Sequence, residues 1–298
     1  MGWKSTNDAK VDPSGIKQHF TDIGIKLHCC RYWKLNEWEF NNLSFPFWRL
    51  YYNTTQGARV SFKNKVVELN SDKVILIPPY TSFSTSLKQI NTESLSGNRI
   101  ASVEELSDIM EMGMVDHLFI HFNLGFQHDH LFPSIFEFNV DAQTQILLDE
   151  IRFSIIEQYT DLSSRLMLQI YSLILMHVSK IPAENWKQKT TDNRVLKVID
   201  YIDLHFKESL SNEVLSERIS MSPNSFLRLF KVTTGFTLQQ YLQNKRIEKA
   251  ILMMHHNQDA AIEQIAEKCG FSDRHHFSKV FKRIVKVAPA QYRKTQTI

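Results

Sequence analysis

Two short clusters of cations and small polar side chains stand out because they recur in the same setting. The first holds Asn224, Ser225, Arg228 and Lys231, and the second Arg274, His275, Ser278, Lys279, Lys282 and Arg283. Arg and Lys neutralise phosphates, and Arg, Lys, Asn and Ser also reach base edges as hydrogen-bonding groups. The partner these residues imply is double-stranded DNA. Arg228 and Lys279 are the candidates for base contact, with contact to phosphate or solvent alone as the other reading of each. Lys231, Lys282 and Arg283 read as phosphate anchors or helix-end charges.

The elements that must position these clusters repeat too. Leu215-Ser216-Glu217-Arg218-Ile219-Ser220-Met221-Ser222 aligns at an offset of 50 residues with Ile265-Ala266-Glu267-Lys268-Cys269-Gly270-Phe271-Ser272. Each copy is followed by two Phe four residues apart and a Lys: Phe226, Phe230 and Lys231, then Phe277, Phe281 and Lys282. The pattern predicts a short helix, a turn at Ser220 or Gly270, and a second helix capped by Ser222 or Ser272, with Pro223 at the first helical position of the first unit. Residues four apart share a helix face, so the Phe pairs turn inward and the polar clusters outward. Between the units, Leu238 to about His256 predicts a long helix capped by Thr237. Leu238, Tyr241, Leu242 and Met253 lie on its apolar stripe, and Lys245, Arg246 and Lys249 on its polar side.

Charge follows the same division. Residues 190–298 carry 17 Lys+Arg against 11 Asp+Glu, whereas residues 1–189 carry 18 against 21, so the net +3 hides a basic C-terminal part. At 298 residues the chain is long enough for two domains. Three cysteines, Cys29, Cys30 and Cys269, are too few and too awkwardly placed for a disulfide scaffold or a zinc site, and read as reduced thiols in a cytoplasm. Met1 to Lys10 is polar, unlike a secretory signal. The most apolar run, Leu166 to Val178, is about two-thirds of a membrane span, so no membrane partner is expected.

Residues 215–293 resemble the DNA-binding domain of the AraC/XylS family. The resemblance rests on Ser222-Pro223, Leu229-Phe230-Lys231 with Gly235, and Tyr241-Leu242 with Arg246-Ile247 and Ala250. It continues through Ile262, Ile265-Ala266, Gly270-Phe271-Ser272, Phe277 with Phe281-Lys282-Arg283, and Pro289 with Tyr292-Arg293. Two positions depart from it: Ser220 and Lys286 stand where the family usually has a turn glycine. The resemblance implies two adjacent major-groove contacts per chain, an activator working with RNA polymerase, and a cupin-like N-terminal barrel that senses a small molecule or dimerises.

The N-terminal residues are compatible with that barrel. Residues 43–140 read mainly as strands: Phe47 to Tyr52, Arg59 to Phe62 with a Lys63-Asn64 turn, Val74 to Ile77, His117 to Phe122, and Ile135 to Val140. A capping box at Ser102 to Glu105 predicts a short inserted helix with Leu106, Ile109 and Met110 inward, ending at Gly113. Residues 143–179 switch to helical periodicity, with Leu147, Ile151, Ser154, Ile155 and Gln158 on one face and a second helix restarting at Asp161. That second helix is apolar nearly all round, which points to a homodimer contact, with packing on the barrel as the alternative. The expected division is therefore a ligand-sensing barrel over 1–142, a dimerisation segment over 143–180, a linker over 181–191 and a DNA-binding domain over 192–298. The fold class is α+β, two domains, the second all-α with two helix-turn-helix units.

Trp48, Arg49, Tyr51 and His121 are the candidate ligand contacts. Aromatic walls, to which Trp33, Trp38 and Tyr52 could add, suit sugars and other flat ligands, and Arg49 suits an anion. Barrel core is the competing reading for each aromatic residue. His117 and His121 share a strand face, and His128 and His130 are also two apart, but the metal-binding cupin pattern of His-x-His followed by Glu is missing. No metal and no cofactor are expected. Without a nucleophile–base pair or a Gly-rich phosphate loop, the chain does not read as an enzyme. The reading is a DNA-binding transcription regulator responding to a small molecule, with a ligand-independent regulator whose N-terminal domain only dimerises as the alternative.

Overall fold

A computed structural model describes residues 23–87, 94–112, 114–125, 129–187, 192–256 and 259–294. The expected helix stop at Gly113, and His128, lie outside them. Nine strands come first: β1 (Lys26–Leu43), β2 (Trp48–Tyr52), β3 (Arg59–Phe62), β4 (Lys65–Glu68), β5 (Lys73–Ile77), β6 (Phe83–Ser86), β7 (Ser94–Arg99), β8 (Val115–Asn123) and β9 (Phe136–Asn139), with helix α1 (Val103–Glu111) between β7 and β8. They form one curled antiparallel sheet in the order β4-β3-β6-β1-β8-β2-β5-β9, with β7 also on β1. The 18-residue β1 is the spine, and the sequence did not announce it. Its register slips between Leu27 and Cys29, Leu35 and Glu37, and Phe40 and Leu43. Such bulges bend a strand and blur the two-residue alternation that would reveal it.

All five residues of β2 are buried because both faces of the sheet are covered. Alternation decides which side chain goes where. Trp48, Leu50 and Tyr52 of β2, and Leu118, Ile120 and Phe122 of β8, face an outer core with α2 (Ala142–Glu157) and α3 (Ser164–Val178). Tyr51, with Ile75 and Ile77 of β5, faces the barrel interior.

Asp141 caps α2 by accepting from the Thr144 amide at 2.8 Å, and Ser163 caps α3 by accepting from Leu166 at 3.3 Å. The second helix thus starts after Ser163, not at Asp161, because the serine hydroxyl takes the orphan amide. On α2 the buried face is Thr144, Leu148, Ile151, Arg152, Ile155 and Ile156. This face is rotated from the expected one, because Arg152 turns inward to donate to the Tyr32 hydroxyl at 3.4 Å.

The C-terminal region is all helical: α4 (Asn193–His205), α5 (Asn212–Glu217), α6 (Pro223–Thr234), α7 (Leu238–His256), α8 (Ile262–Lys268), α9 (Arg274–Val285) and α10 (Pro289–Lys294). Helices α4 to α6 and the start of α7 close one core around Phe226 and Phe230. The second unit, around Phe277 and Phe281, shares its core with the barrel interior. No described helix is long and apolar enough to cross a membrane.

Candidate functional site

The two repeated units fold as short helix, turn, second helix: α5–α6 and α8–α9. Both turns need a left-handed residue. Ser220 supplies it at φ 53° and Gly270 at φ 81°. The second helices end the same way, on Gly235 at φ 76° and Lys286 at φ 74°, whose amides return to the carbonyls of Lys231 and Lys282. The two positions that depart from the AraC/XylS pattern are therefore the ones where a side chain is held in a glycine conformation. Gly270 has a further constraint: a Cβ there would lie 2.5 Å from the Lys207 carbonyl oxygen, so the turn packs directly on backbone.

Ser222 caps α6, accepting from the Ser225 amide at 3.4 Å, with Pro223 in the first turn. In the second unit the cap moves one residue: Asp273, not Ser272, accepts from His276 at 2.7 Å, and the Ser272 hydroxyl donates to the Asp273 carboxylate. That hydrogen bonding holds the Asp273 carboxyl below its usual range.

Phe226 and Phe230, and Phe277 and Phe281, are fully buried, and this orients the opposite faces. Asn224, Ser225, Arg228 and Lys231 of α6 are exposed, as are Arg274, His275, Lys279, Lys282 and Arg283 of α9, with Ser278 partly so. Arg283 donates to the Gln243 side chain of α7, which steers its head toward that helix. His276, in the first turn of α9, is equally exposed and was not singled out from sequence. Its place beside His275 was the available signal.

Helix α7 joins the units. Its 19 residues span roughly 28 Å at 1.5 Å each, comparable to the ~34 Å between successive major-groove faces. The Thr237 hydroxyl accepts from Gln240 N, and the Gln240 side chain accepts from Thr237 N. The side of α7 expected to be polar is not solvated. Lys245 pairs with Asp203 at 2.6 Å, and Arg246 donates to the carbonyls of Phe206 and Glu208 at 2.7 and 2.9 Å. These cations pin α7 to the end of α4, because the carbonyls of that helix end lack helical partners.

A small cavity, partly open to solvent, lies in the barrel interior. Arg49, Tyr51 and His121 line it together with Trp33, Trp38 and His117, and Tyr292 of α10 reaches in from the C-terminal region. Trp48 does not. One residue from Arg49 on the same strand, it points to the outer core and stacks on Phe122 at 6.0 Å, and Tyr52 lies on that side too.

Burial pushes the His117 imidazole down to about 3, against the favourable charge of Asp116, so it is neutral. Its Nδ1 lies 2.8 Å from the Asn53 side-chain oxygen, which makes it the donor. Arg49 donates to the Tyr51 hydroxyl at 2.9 Å and stacks over Phe45, 3.3 Å from the ring centroid. No group of three or more metal-ligating side chains is found among the described residues.

The geometry on the C-terminal side defines a class first: a tandem helix-turn-helix module on a rigid connecting helix. A family model described as a helix-turn-helix domain matches residues 215–295. This is the segment that resembles the AraC/XylS DNA-binding domain. The HTH-type transcriptional activator RhaS of Escherichia fergusonii is 35% identical over 105 residues, which are 35% of this chain and 37% of that protein. RhaS of Escherichia coli O1:K1 is 28% identical over 170 residues, 56% of this chain and 60% of that protein. The chain thus spans 37% and 60% of the lengths of these two relatives, less than two-thirds in each case.

The whole fold is similar to that of ToxT from Vibrio cholerae, with a TM-score of 0.57 at 18% identity over 92% of this chain and 98% of the other. ToxT with a bound unsaturated fatty acid gives 0.55 at 16% identity over 95% and 98%. The two-domain architecture, a curled antiparallel half-barrel followed by a helical domain, is common to both.

Proposed function

We propose that this protein is a sequence-specific transcription regulator, an activator that binds promoter DNA as a homodimer and responds to a small molecule held in the N-terminal barrel. The observation that carries the reading is the pair of outward cationic faces on α6 and α9, each fixed by two buried Phe and held apart by α7. Duplex binding needs such rigid presentation, because base readout depends on side chains reaching one groove in register. The RhaS relatives, named as transcriptional activators, support the sign of regulation, and RNA polymerase is the partner an activator needs. The fatty-acid-bound ToxT supports a small-molecule effector. The cavity lined by Arg49, Tyr51 and His121 is where such a molecule would sit.

The test is selection of bound fragments from genomic DNA with the full chain, repeated with Arg228→Ala and Lys279→Ala. Enrichment of sites with two short boxes about one helical turn apart, lost in both variants while their thermal unfolding is unchanged, is the expected result. Retention of the same sites by both variants would rule out this recognition mode.

A further inference from the structure

The turns of the two helix-turn-helix units have different surroundings. Ser220, at the turn of the first unit, is exposed. Gly270, at the equivalent place in the second, sits on the loop that joins α4 to α5 in the first unit. A Cβ there would lie 2.5 Å from the Lys207 carbonyl oxygen and 2.8 Å from its Cα, so the two units meet backbone on backbone. The same loop is gripped from α7. Arg246, 9% exposed, donates from Nε to the Phe206 carbonyl at 2.7 Å and from Nη2 to the Glu208 carbonyl at 2.9 Å, one on each side of Lys207. Its guanidinium also lies 5.7 Å from the centroid of the Phe271 ring, next to Gly270. The Lys249 ammonium, one turn further along α7, lies 5.6 Å from the Phe206 ring centroid. Arg246 stands where α7 passes from one unit to the other: Leu238 and Leu242 belong to the first core, Ile247, Ala250 and Ile251 to the second.

We infer that Arg246 is a positioning residue: by holding the 206–208 loop against the Gly270 turn it fixes the angle between α6 and α9, and so sets the spacing of the two DNA boxes that the chain accepts. Long helices curve, so α7 by itself leaves that angle soft. A tie at its midpoint to both units stiffens it. The guanidinium suits the task, because its planar fork serves two carbonyls at once while a lysine ammonium is a single point of contact. The carbonyls it serves lie at and just past the end of α4, where no helical amide reaches them. Buried in this way, Arg246 is not available to phosphate. DNA makes the angle matter: each base pair added between two boxes turns the second by roughly 34° and moves it by about 3.4 Å. The inference rests on the DNA-binding reading above and adds a determinant of box spacing that touches no DNA.

The test uses the full-length protein and the two-box site it selects from genomic DNA, rebuilt with one base pair added or removed between the boxes. The unaltered chain should lose about tenfold or more in affinity at either changed spacing, the scale of one lost base-pair contact, and Arg246→Gln only about threefold or less. Arg246→Lys, which keeps the charge and can serve one carbonyl, should fall between them, and it is the variant to read if Arg246→Gln does not fold. A merely structural role gives another pattern: the variants would bind more weakly by the same factor at all three spacings. That pattern overturns the inference, and so does an unaltered chain that tolerates both changed spacings. If the unaltered chain selects no DNA, the regulator reading falls and takes this inference with it. If two-box sites are selected and the variants keep the full spacing penalty, only the inference falls.

Discussion

The ring of Tyr292 in α10 lies 5.8 Å from that of Phe45, which follows β1 in the barrel. Tyr292 is buried, and the contact joins the second helix-turn-helix unit to the barrel interior in one continuous core. Tyr80 with Phe236 at 5.5 Å, and Lys26 with Glu248 at 3.7 Å, add to the same junction. Phe45→Ala should weaken the junction by about 3–5 kcal/mol, the usual loss for a buried Phe. The expected outcome is that one calorimetric unfolding transition becomes two, as each domain unfolds on its own. A single transition shifted to lower temperature would mean that the domains depend on each other through other contacts.

Ser220 and Lys286 hold left-handed conformations at φ 53° and 74° where Gly270 and Gly235 stand in the equivalent places. Left-handed geometry costs a non-glycine residue about 1–2 kcal/mol, partly offset by the extra freedom glycine has when unfolded. Ser220→Gly and Lys286→Gly should each stabilise the chain by about 0.5–1 kcal/mol in urea unfolding. Gly270→Ala should do the reverse, by about 2 kcal/mol or more, since its Cβ meets the Lys207 backbone. A neutral Gly270→Ala would show that the turn can relax away from Lys207.

His117 makes stability depend on pH. Burial lowers its folded value to about 3, while the unfolded chain titrates near 6.5. Between those values the unfolded state holds the proton and the folded state does not, so stability falls as pH drops from 6.5 toward 3. The loss is on the order of 1.4 kcal/mol per pH unit within that window. His117→Gln, which keeps a donor for Asn53, should flatten the stability profile from pH 6.5 down to pH 4. An unchanged slope would place the acid sensitivity elsewhere; His177, also lowered mainly by burial, is the next group to substitute.

Much of the DNA-binding side was legible because two signals agreed there: an offset repeat, and Phe pairs at a helical spacing that fix which face turns out. The barrel was legible only in part. Its longest strand, β1, is bulged three times and mixes charged with aromatic residues, so no two-residue period runs through it. Strands β6 and β7 escaped for a related reason, being short and rich in serine. The pairing of Trp48 with Arg49 as ligand contacts was avoidable: neighbours on a strand point to opposite faces, and period two alone separates them. What no local pattern could reveal is that Tyr292, some 240 residues from Arg49 in the chain, closes the same cavity, because that proximity comes from domain packing rather than from any periodicity.

Helices α2 and α3 leave large apolar side chains in water: Ile146 is 61% exposed, Phe153 42%, Leu168 65% and Leu175 39%. Residues seven apart lie two turns apart on one helical stripe, so Ile146 and Phe153 form one row and Leu168 and Leu175 another. The Gln169 side chain donates to Glu150, which lies on the Ile146–Phe153 side of α2, so α3 packs beside that row. In the homodimer proposed above, this face would be buried against the second copy. Leu168→Glu combined with Leu175→Glu should give a monomer in sedimentation equilibrium at concentrations where the unaltered chain is a dimer. Neither side chain belongs to the buried set of α3, so secondary structure should be retained. Affinity for DNA carrying two sites should fall at least tenfold, while affinity for a single site stays the same. If the doubly substituted chain keeps the mass of a dimer, the contact between copies lies on another surface.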